Sequence, residues 1–317
     1  MNASLVDPPG RQGPGAMSAA LVEQLDLVLA ERAAGVLPGE RRAAGRGSGT
    51  ELAQIRAYQP GDDVRRLDAA ASARTGVPHV RDYVPERTLT TWVVLDVSAS
   101  MAFGTADRLK SDVGEGVALV IGRLAVRRAG RVALITCGGP AETLLPPRGG
   151  RPALIAMRKG IQGVAPDGGE QGGALAGALR RVALLARGPG LVVVISDFRE
   201  GETVRLEERH GNAEERARPE WARALAALSA RHDLLAVEVV DRREAALPDV
   251  GQITLVDPET GARMEADTSS AQLRRRFEAA ELARRDELKR HLRGARARHV
   301  ELDTDSDWLR SLGRNLR

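Results

Sequence analysis

Four runs of almost uninterrupted apolar residues constrain this chain more than any other feature: WVVL at 92–95, VALIT at 132–136, LVVVI at 191–195 and LLAVEVV at 234–240. A strand with one solvated face alternates apolar and polar residues, so a run that is apolar throughout has to be covered on both faces. Helical patterns lie between these runs. Val113, Val117, Val120, Ile121 and Leu124 form one, Leu175, Leu179, Val182 and Ala186 a second, and an Arg/Glu/Ala-rich segment from Trp221 to Leu228 a third. Strands alternating with helices in this way predict a doubly wound, mostly parallel α/β sheet. With only three Trp, two Tyr and three Phe in 317 residues, its core has to be packed from Val, Leu, Ile and Ala.

The flanks read differently. Residues 1–16 are rich in Pro and Gly without a periodic apolar face, which predicts a disordered leader. Leu21, Leu25, Val28 and Leu29 recur at helical spacing behind Ser18, an N-cap candidate, and predict a helix to about Ala34. From Glu51 to Arg87 short extended pieces surround the Pro60-Gly61 turn, so residues 17–88 are read as a helix followed by a small strand-rich module. The α/β domain is placed at 89–303 and a terminal helix at 304–317. Within the domain, QITLVD and ARMEAD flank the turn sequence PETG and predict a hairpin near the sheet edge. A long helix is expected from about Ser270 to Leu292. The stretch from Arg199 to Glu220 carries both charge signs and reads as a solvated insertion.

Composition narrows the function classes. The 47 Lys and Arg residues against 43 Asp and Glu leave a formal charge of +4 spread along the chain, which is no nucleic-acid footprint. The lack of a membrane-length apolar run and of an export signal makes the cytoplasm the expected compartment. The single Cys137 ends an apolar run and reads as a small buried residue, and the five His residues show no metal-ligand spacing. GGPAETLLPPRGG lacks the Gly-Lys-Ser/Thr ending of a phosphate-binding loop, so the chain is not itself an ATPase.

One chemical feature stands out against this background. The first apolar run leads directly into Asp96, Ser98 and Ser100, and the third ends in Ser196-Asp197. Functional crevices of doubly wound sheets lie beyond the carboxyl ends of strands, where strand order reverses. If the two strands are neighbours there, Asp96, Ser98, Ser100 and Asp197 converge as hard oxygen donors without imidazole or thiolate, a set suited to Mg2+ with retained waters. The same Asp and Ser residues would also serve as ordinary helix caps. In GDDVRRLDAAASAR, Asp62, Asp63, Arg65, Arg66 and Arg74 are expected to pair internally rather than form a docking surface.

LDVSASM followed by a helix and later VISDF resembles the von Willebrand factor type A-like fold and its metal-ion-dependent adhesion site. IRAYQPGDDVRRLDAAASAR and LPDVGQITLVDPETG extend the similarity, over roughly residues 50–303, to the bacterial "domain of unknown function fifty-eight" family. That resemblance implies a non-enzymatic interaction module. Ser98 and Ser100 would touch the ion directly, Asp96 and Asp197 would hold it mostly through water, and a partner carboxylate would complete its shell. It also implies a MoxR-type AAA+ ATPase as partner, in protein complex assembly or maturation. Two departures stand out. EQGGALAGAL has Gly173 or Ala174 where a Thr ligand is expected, which predicts weak Mg2+ binding unless Glu170 or Gln171 substitutes, and Ala69 replaces an expected Trp. The rival reading is a magnesium-dependent phosphohydrolase with Asp96 as nucleophile and Asp197 on the metal. Against it, Ser98 stands where such enzymes carry a second Asp.

Overall fold

The computed structural model describes residues 51–84, 89–105, 108–127, 129–162, 174–200, 218–257 and 261–316. The expected leader, the helix from Ser18, Glu170, Gln171, Gly173 and residues 201–217 of the charged stretch lie outside them. Two compact units are present, one within Gly39–Thr88 and the other containing Leu89–Arg317.

The smaller unit is an antiparallel pair, β1 (Glu51–Ala57) with β2 (His79–Val84), joined through the short helix α1 (Ala69–Thr75). Asp62 accepts both terminal guanidinium nitrogens of Arg56 at 2.8 Å. Asp68 caps α1 through the backbone N–H of Ala71 and takes Arg81 Nε at 2.7 Å. Asp63 caps the turn at Val64–Arg66 by accepting from the backbone N–H of Arg65. These acids hold the unit's own turns, Asp62 pairing with Arg56 and Asp68 with Arg81.

The larger unit is built on a six-stranded sheet. In chain order its elements begin β3 (Thr90–Asp96), α2 (Lys110–Arg127), β4 (Arg131–Cys137), β5 (Leu144–Gly149), α3 (Gly150–Gln162) and α4 (Ala174–Leu185). They continue β6 (Gly190–Ser196), α5 (Glu220–Leu228), β7 (Asp233–Val240), α6 (Arg242–Ala245), β8 (Gln252–Val256), β9 (Arg263–Asp267), α7 (Ala271–Gly294), β10 (Arg298–Asp303) and α8 (Trp308–Asn315). The strand order is β10-β7-β6-β3-β4-β5, parallel except for the antiparallel edge strand β5. This is a doubly wound, mostly parallel α/β sheet.

Strand periodicity decides which helix each residue meets, because successive side chains point to opposite faces. Val93, Leu95, Val193, Ile195, Leu235 and Val237 pack with Val113, Val117 and Ile121 of α2, Met157 of α3 and Leu309 and Leu312 of α8. Trp92, Val94, Val192, Val194, Leu234 and Ala236 face Leu175, Leu179 and Val182 of α4, Trp221 and Leu225 of α5, and Leu288 and Leu292 of α7. All four apolar runs therefore lie in the interior, as two-sided burial requires.

Three elements depart from the sequence expectation. β5 carries Pro146 and Pro147, which argue against a strand. It forms nonetheless because it is an edge strand with a register irregularity opposite Val132–Leu134, where a missing N–H is tolerated. β10 is a parallel edge strand against β7, although its alternating pattern lacks the apolar density of the inner strands. β8 and β9 pair as expected but form a separate two-stranded sheet.

Val94 is fully buried at the centre of β3. Val94→Asp places an unpaired carboxylate there and is expected to destabilise the unit by more than about 4 kcal/mol, leaving no soluble folded protein. Circular dichroism and size-exclusion chromatography of the variant check this, and a normal melting transition would contradict the burial argument.

Candidate functional site

From β3 the chain moves outward to β4 and β5, then returns on the other side of β3 to build β6, β7 and β10. Strand order thus reverses between β3 and β6, and connections leaving in opposite directions open a crevice at the strand ends. Asp96 ends β3 and Ser196 ends β6. The parallel register that pairs Leu95 with Ile195 brings the next residues, Asp96 and Ser196, level. Ser196 Oγ donates to Asp96 Oδ2 at 2.5 Å, and the backbone N–H of Ser98 donates to Asp96 Oδ1 at 2.9 Å.

Beyond Asp96 the chain enters a 3-10 turn at Ala99–Ala102, which orients the serines toward each other. Ser98 Oγ and Ser100 Oγ are 3.1 Å apart, and both residues are buried. The turn closes with the Met101 N–H donating to the Ser98 carbonyl at 3.0 Å. Gly138, just past β4, lies against this cluster. It has φ +83°, and a Cβ there would come within 2.7 Å of Ser98 Cβ and 3.0 Å of Asp96 Oδ1. Only glycine satisfies both the conformation and the space.

Asp197 is reached through a sharp turn. Phe198 adopts φ +54°, an unusual left-handed conformation for an aromatic residue. Its buried ring, 5.2 Å from the Trp221 ring, holds it in place, and its N–H donates to Ser196 Oγ at 2.9 Å. Asp197 Oδ1 accepts the Arg199 backbone N–H at 3.1 Å, and Oδ2 accepts the ammonium of Lys110 at 2.7 Å. Lys110, the first residue of α2, is fully buried and donates also to Glu244 Oε1 of α6 at 2.6 Å. Glu244 is held by a capping box with Asp241, whose carboxylate takes the Thr105 backbone N–H at 2.8 Å and the hydroxyls of Thr105 at 2.6 Å and Thr304 at 2.7 Å. The loop between the serines and α2 is thereby tied to the end of β7.

The two carboxylates differ electrostatically. Burial, reinforced by the nearby negative charge of Asp197, pushes Asp96 up to about 7 despite its hydrogen bonds from Ser196 and Ser98. Burial acts on Asp197 in the same sense, but Lys110 and Arg199 outweigh it and bring it down to about 2. Cys137, paired with Asp96 in the β3–β4 register, is buried; desolvation and the Asp96 charge push its thiol well above the ordinary range, so it is no nucleophile.

The structure thus places Asp96, Ser98 and Ser100 in one hydrogen-bonded turn, with Asp197 next to Ser196, whose hydroxyl donates to Asp96. Sequence reasoning missed Lys110, Gly138 and Glu244, which lie far apart along the chain and carry no motif, and gave Ser196, within VISDF, no role of its own. It also placed Arg199 and Glu200 in a solvated insertion. Arg199 instead pairs with Glu244 at 3.4 Å and Glu281 at 2.9 Å, and Glu200 caps the start of α4 by accepting the Leu175 N–H at 2.6 Å. Ala174, one of the two positions at which the resemblance leads one to expect a Thr, opens that helix.

In donor chemistry Asp96, Ser98 and Ser100 fit Mg2+, being hard oxygens converging from one turn. Asp197 contributes less, since one of its oxygens is already paired with the Lys110 ammonium. Among the described residues, no group of three or more His, Cys, Asp or Glu side chains is placed to hold a metal ion. Among them, too, no helix is long and apolar enough to cross a membrane.

Residues 54–287 match the family described as "Protein of unknown function DUF58". Uncharacterized proteins of Mycobacterium bovis and Mycobacterium tuberculosis are each 37% identical over 296 residues, covering 93% of this chain and 88% of theirs. Of solved structures, the VWA domain of SpRpn10 has a TM-score of 0.36 at 10% identity, covering 73% of this chain and 95% of that one.

Two outcomes follow from the site's geometry. Gly138→Ala is expected to lower stability by ~1–3 kcal/mol through left-handed strain and the clash with Ser98, measured by urea unfolding. The folded state keeps the Asp96 proton up to about pH 7, whereas an unfolded Asp releases it near ~4. Between those values the folded state binds more protons, so this group's contribution to stability falls as pH rises, at up to about 1.4 kcal/mol per pH unit. Asp197, held near 2, contributes the opposite way: its stabilisation is present above the ordinary Asp value and is lost as pH falls through about 2. In divalent-free buffer, Asp96→Asn is therefore expected to flatten the decline in unfolding free energy between pH 4 and 7. An unchanged slope in that window would contradict the assignment.

Proposed function

We propose that this chain, which belongs to the DUF58 family, is a non-enzymatic interaction module that docks a protein partner at the crevice of Asp96, Ser98, Ser100 and Asp197. The observation that carries this reading is the hydrogen bonding of the two carboxylates. All four oxygens of Asp96 and Asp197 already accept from the chain's own donors, Ser98 N–H, Ser196 hydroxyl, Arg199 N–H and Lys110 ammonium. A nucleophilic carboxylate needs an oxygen free to attack and an ionised state near neutrality, whereas Asp96 is enclosed and holds its proton to about 7. The arrangement favours a preorganised binding surface over the phosphohydrolase alternative.

The serine hydroxyls are the groups best suited to meet a partner carboxylate, directly or across a Mg2+ ion held by Asp96, Ser98 and Ser100 with Asp197 behind it. Such an ion would supply positive charge between two acidic groups. Its binding would be weak, because Gly173 or Ala174, neither with a side-chain oxygen, stands where the Thr ligand is expected. The proposed partner is a MoxR-type AAA+ ATPase in the cytoplasm, as the family resemblance implies, with this chain as the adaptor in assembly or maturation of a protein complex.

The test is capture of a MoxR-type ATPase by the tagged full chain, with and without Mg2+. The double variant Ser98→Ala/Ser100→Ala removes two hydroxyls and little volume, so it should melt as the wild type does while capture falls by about tenfold, the equivalent of one or two lost hydrogen bonds. Equal capture by the folded double variant, or turnover of a generic phosphate ester that Asp96→Asn abolishes, would overturn the docking reading.

A further inference from the structure

Lys110 is placed where its charge bears on any cation that enters the crevice. It is the first residue of α2, and its backbone N–H donates to the Phe103 carbonyl at 2.9 Å, which sets the helix start against the loop carrying the serines. Its ammonium is completely enclosed, 2.7 Å from Asp197 Oδ2, 2.6 Å from Glu244 Oε1 and 5.9 Å from the centre of the Phe103 ring. Glu244 is in turn fixed by the Asp241 capping box and by Arg199 at 3.4 Å. No rotamer change takes the ammonium to solvent without breaking two buried ion pairs, a loss of several kcal/mol.

We propose that Lys110 is the resident cation of the crevice, a tethered charge that neutralises Asp197 and thereby keeps divalent ions from binding strongly beside Asp96, Ser98 and Ser100. The physical reasons are two. An ammonium at hydrogen-bond distance already satisfies Asp197 Oδ2, and the Arg199 N–H donates to Oδ1, so a dication gains little from this carboxylate. The ammonium also repels any dication that would share the Asp197 carboxylate with it, in a medium that screens poorly. The crevice then discriminates among cations by a covalently attached competitor rather than by ligand count alone. This deepens the proposed reading by naming what sets the ion affinity of the docking site, and it rests on that crevice being the working site.

The test is titration calorimetry of the full chain with MnCl2, paired with thermal unfolding in the presence and absence of the ion. Wild type is expected to bind Mn2+ only weakly, with Kd of about 1 mM or above. Lys110→Met, which keeps the length and removes the charge, should bind at least about tenfold more tightly and gain an Mn2+-dependent rise in Tm. Lys110→Gln retains a donor for Asp197 should the Met variant not fold, and is expected to gain affinity in the same direction. Adding Asp197→Asn to either variant should remove the gain. Wild-type binding in the micromolar range, or folded Lys110 variants that bind no more tightly than wild type, would overturn the proposal. Either result leaves partner capture untouched, so the docking reading stands or falls separately.

Discussion

A buried ion triplet, Lys110 between Asp197 and Glu244, is the interaction on which the crevice end of the sheet depends. It joins three elements that are distant in sequence: the start of α2, the turn after β6 and the short helix α6 after β7. Desolvating an ammonium is costly, and two carboxylates at hydrogen-bond distance offset that penalty only if all three groups are held in place. Each is held. Helix α2 fixes the lysine, the left-handed turn at Phe198 fixes Asp197, and the capping box fixes Glu244. The rigidity of the crevice is therefore a requirement of its charges rather than an incidental result of packing.

The same logic extends outward from the crevice across the sheet. Arg199 bridges Glu244 and Glu281, and Arg284 joins Glu281 at 2.8 Å to Glu238 of β7 at 3.4 Å. His299 of β10 meets Glu238 at 2.9 Å. Alternating charges thus run from the β3–β6 switch point to helix α7 and the far edge strand. Glu238 sits within an otherwise apolar run and is almost wholly buried, which the sheet tolerates because α7 brings Arg284 over it. In the 24-residue helix α7, Glu281 and Arg284 are buried beside Leu288 and Leu292, so these pairs help position it.

Asp96 stands apart from that network. It takes its hydrogen bonds from a hydroxyl and a backbone N–H, with no cation paired to it among the described residues, and so remains the group in the crevice most sensitive to an added charge. Gly138 presses the Asp96–Ser98 turn from the side of β4, so the serine hydroxyls are positioned by backbone contact rather than by flexible side chains. A preorganised polar surface of this kind loses little conformational entropy on binding.

Local pattern determined a great deal by itself. The two-sided apolar runs required inner parallel strands, because no other arrangement buries both faces, and the spacing of Leu175, Leu179 and Val182 required a helix to cover one of them. Asp96, Ser98, Ser100 and Asp197 were legible for the same reason: polar residues at the ends of such strands have one place to go. Only the tertiary structure decided what they meet there. Strand order put β6 beside β3 and brought Ser196 to Asp96, and the winding of α2 delivered Lys110 to Asp197 across 87 residues of sequence. A lysine opening a helix reads as a solvated charge, a lone Glu244 as a cap, and Gly138 as a turn. Their roles depend on distances between segments, and a linear sequence carries no distance until the chain has packed.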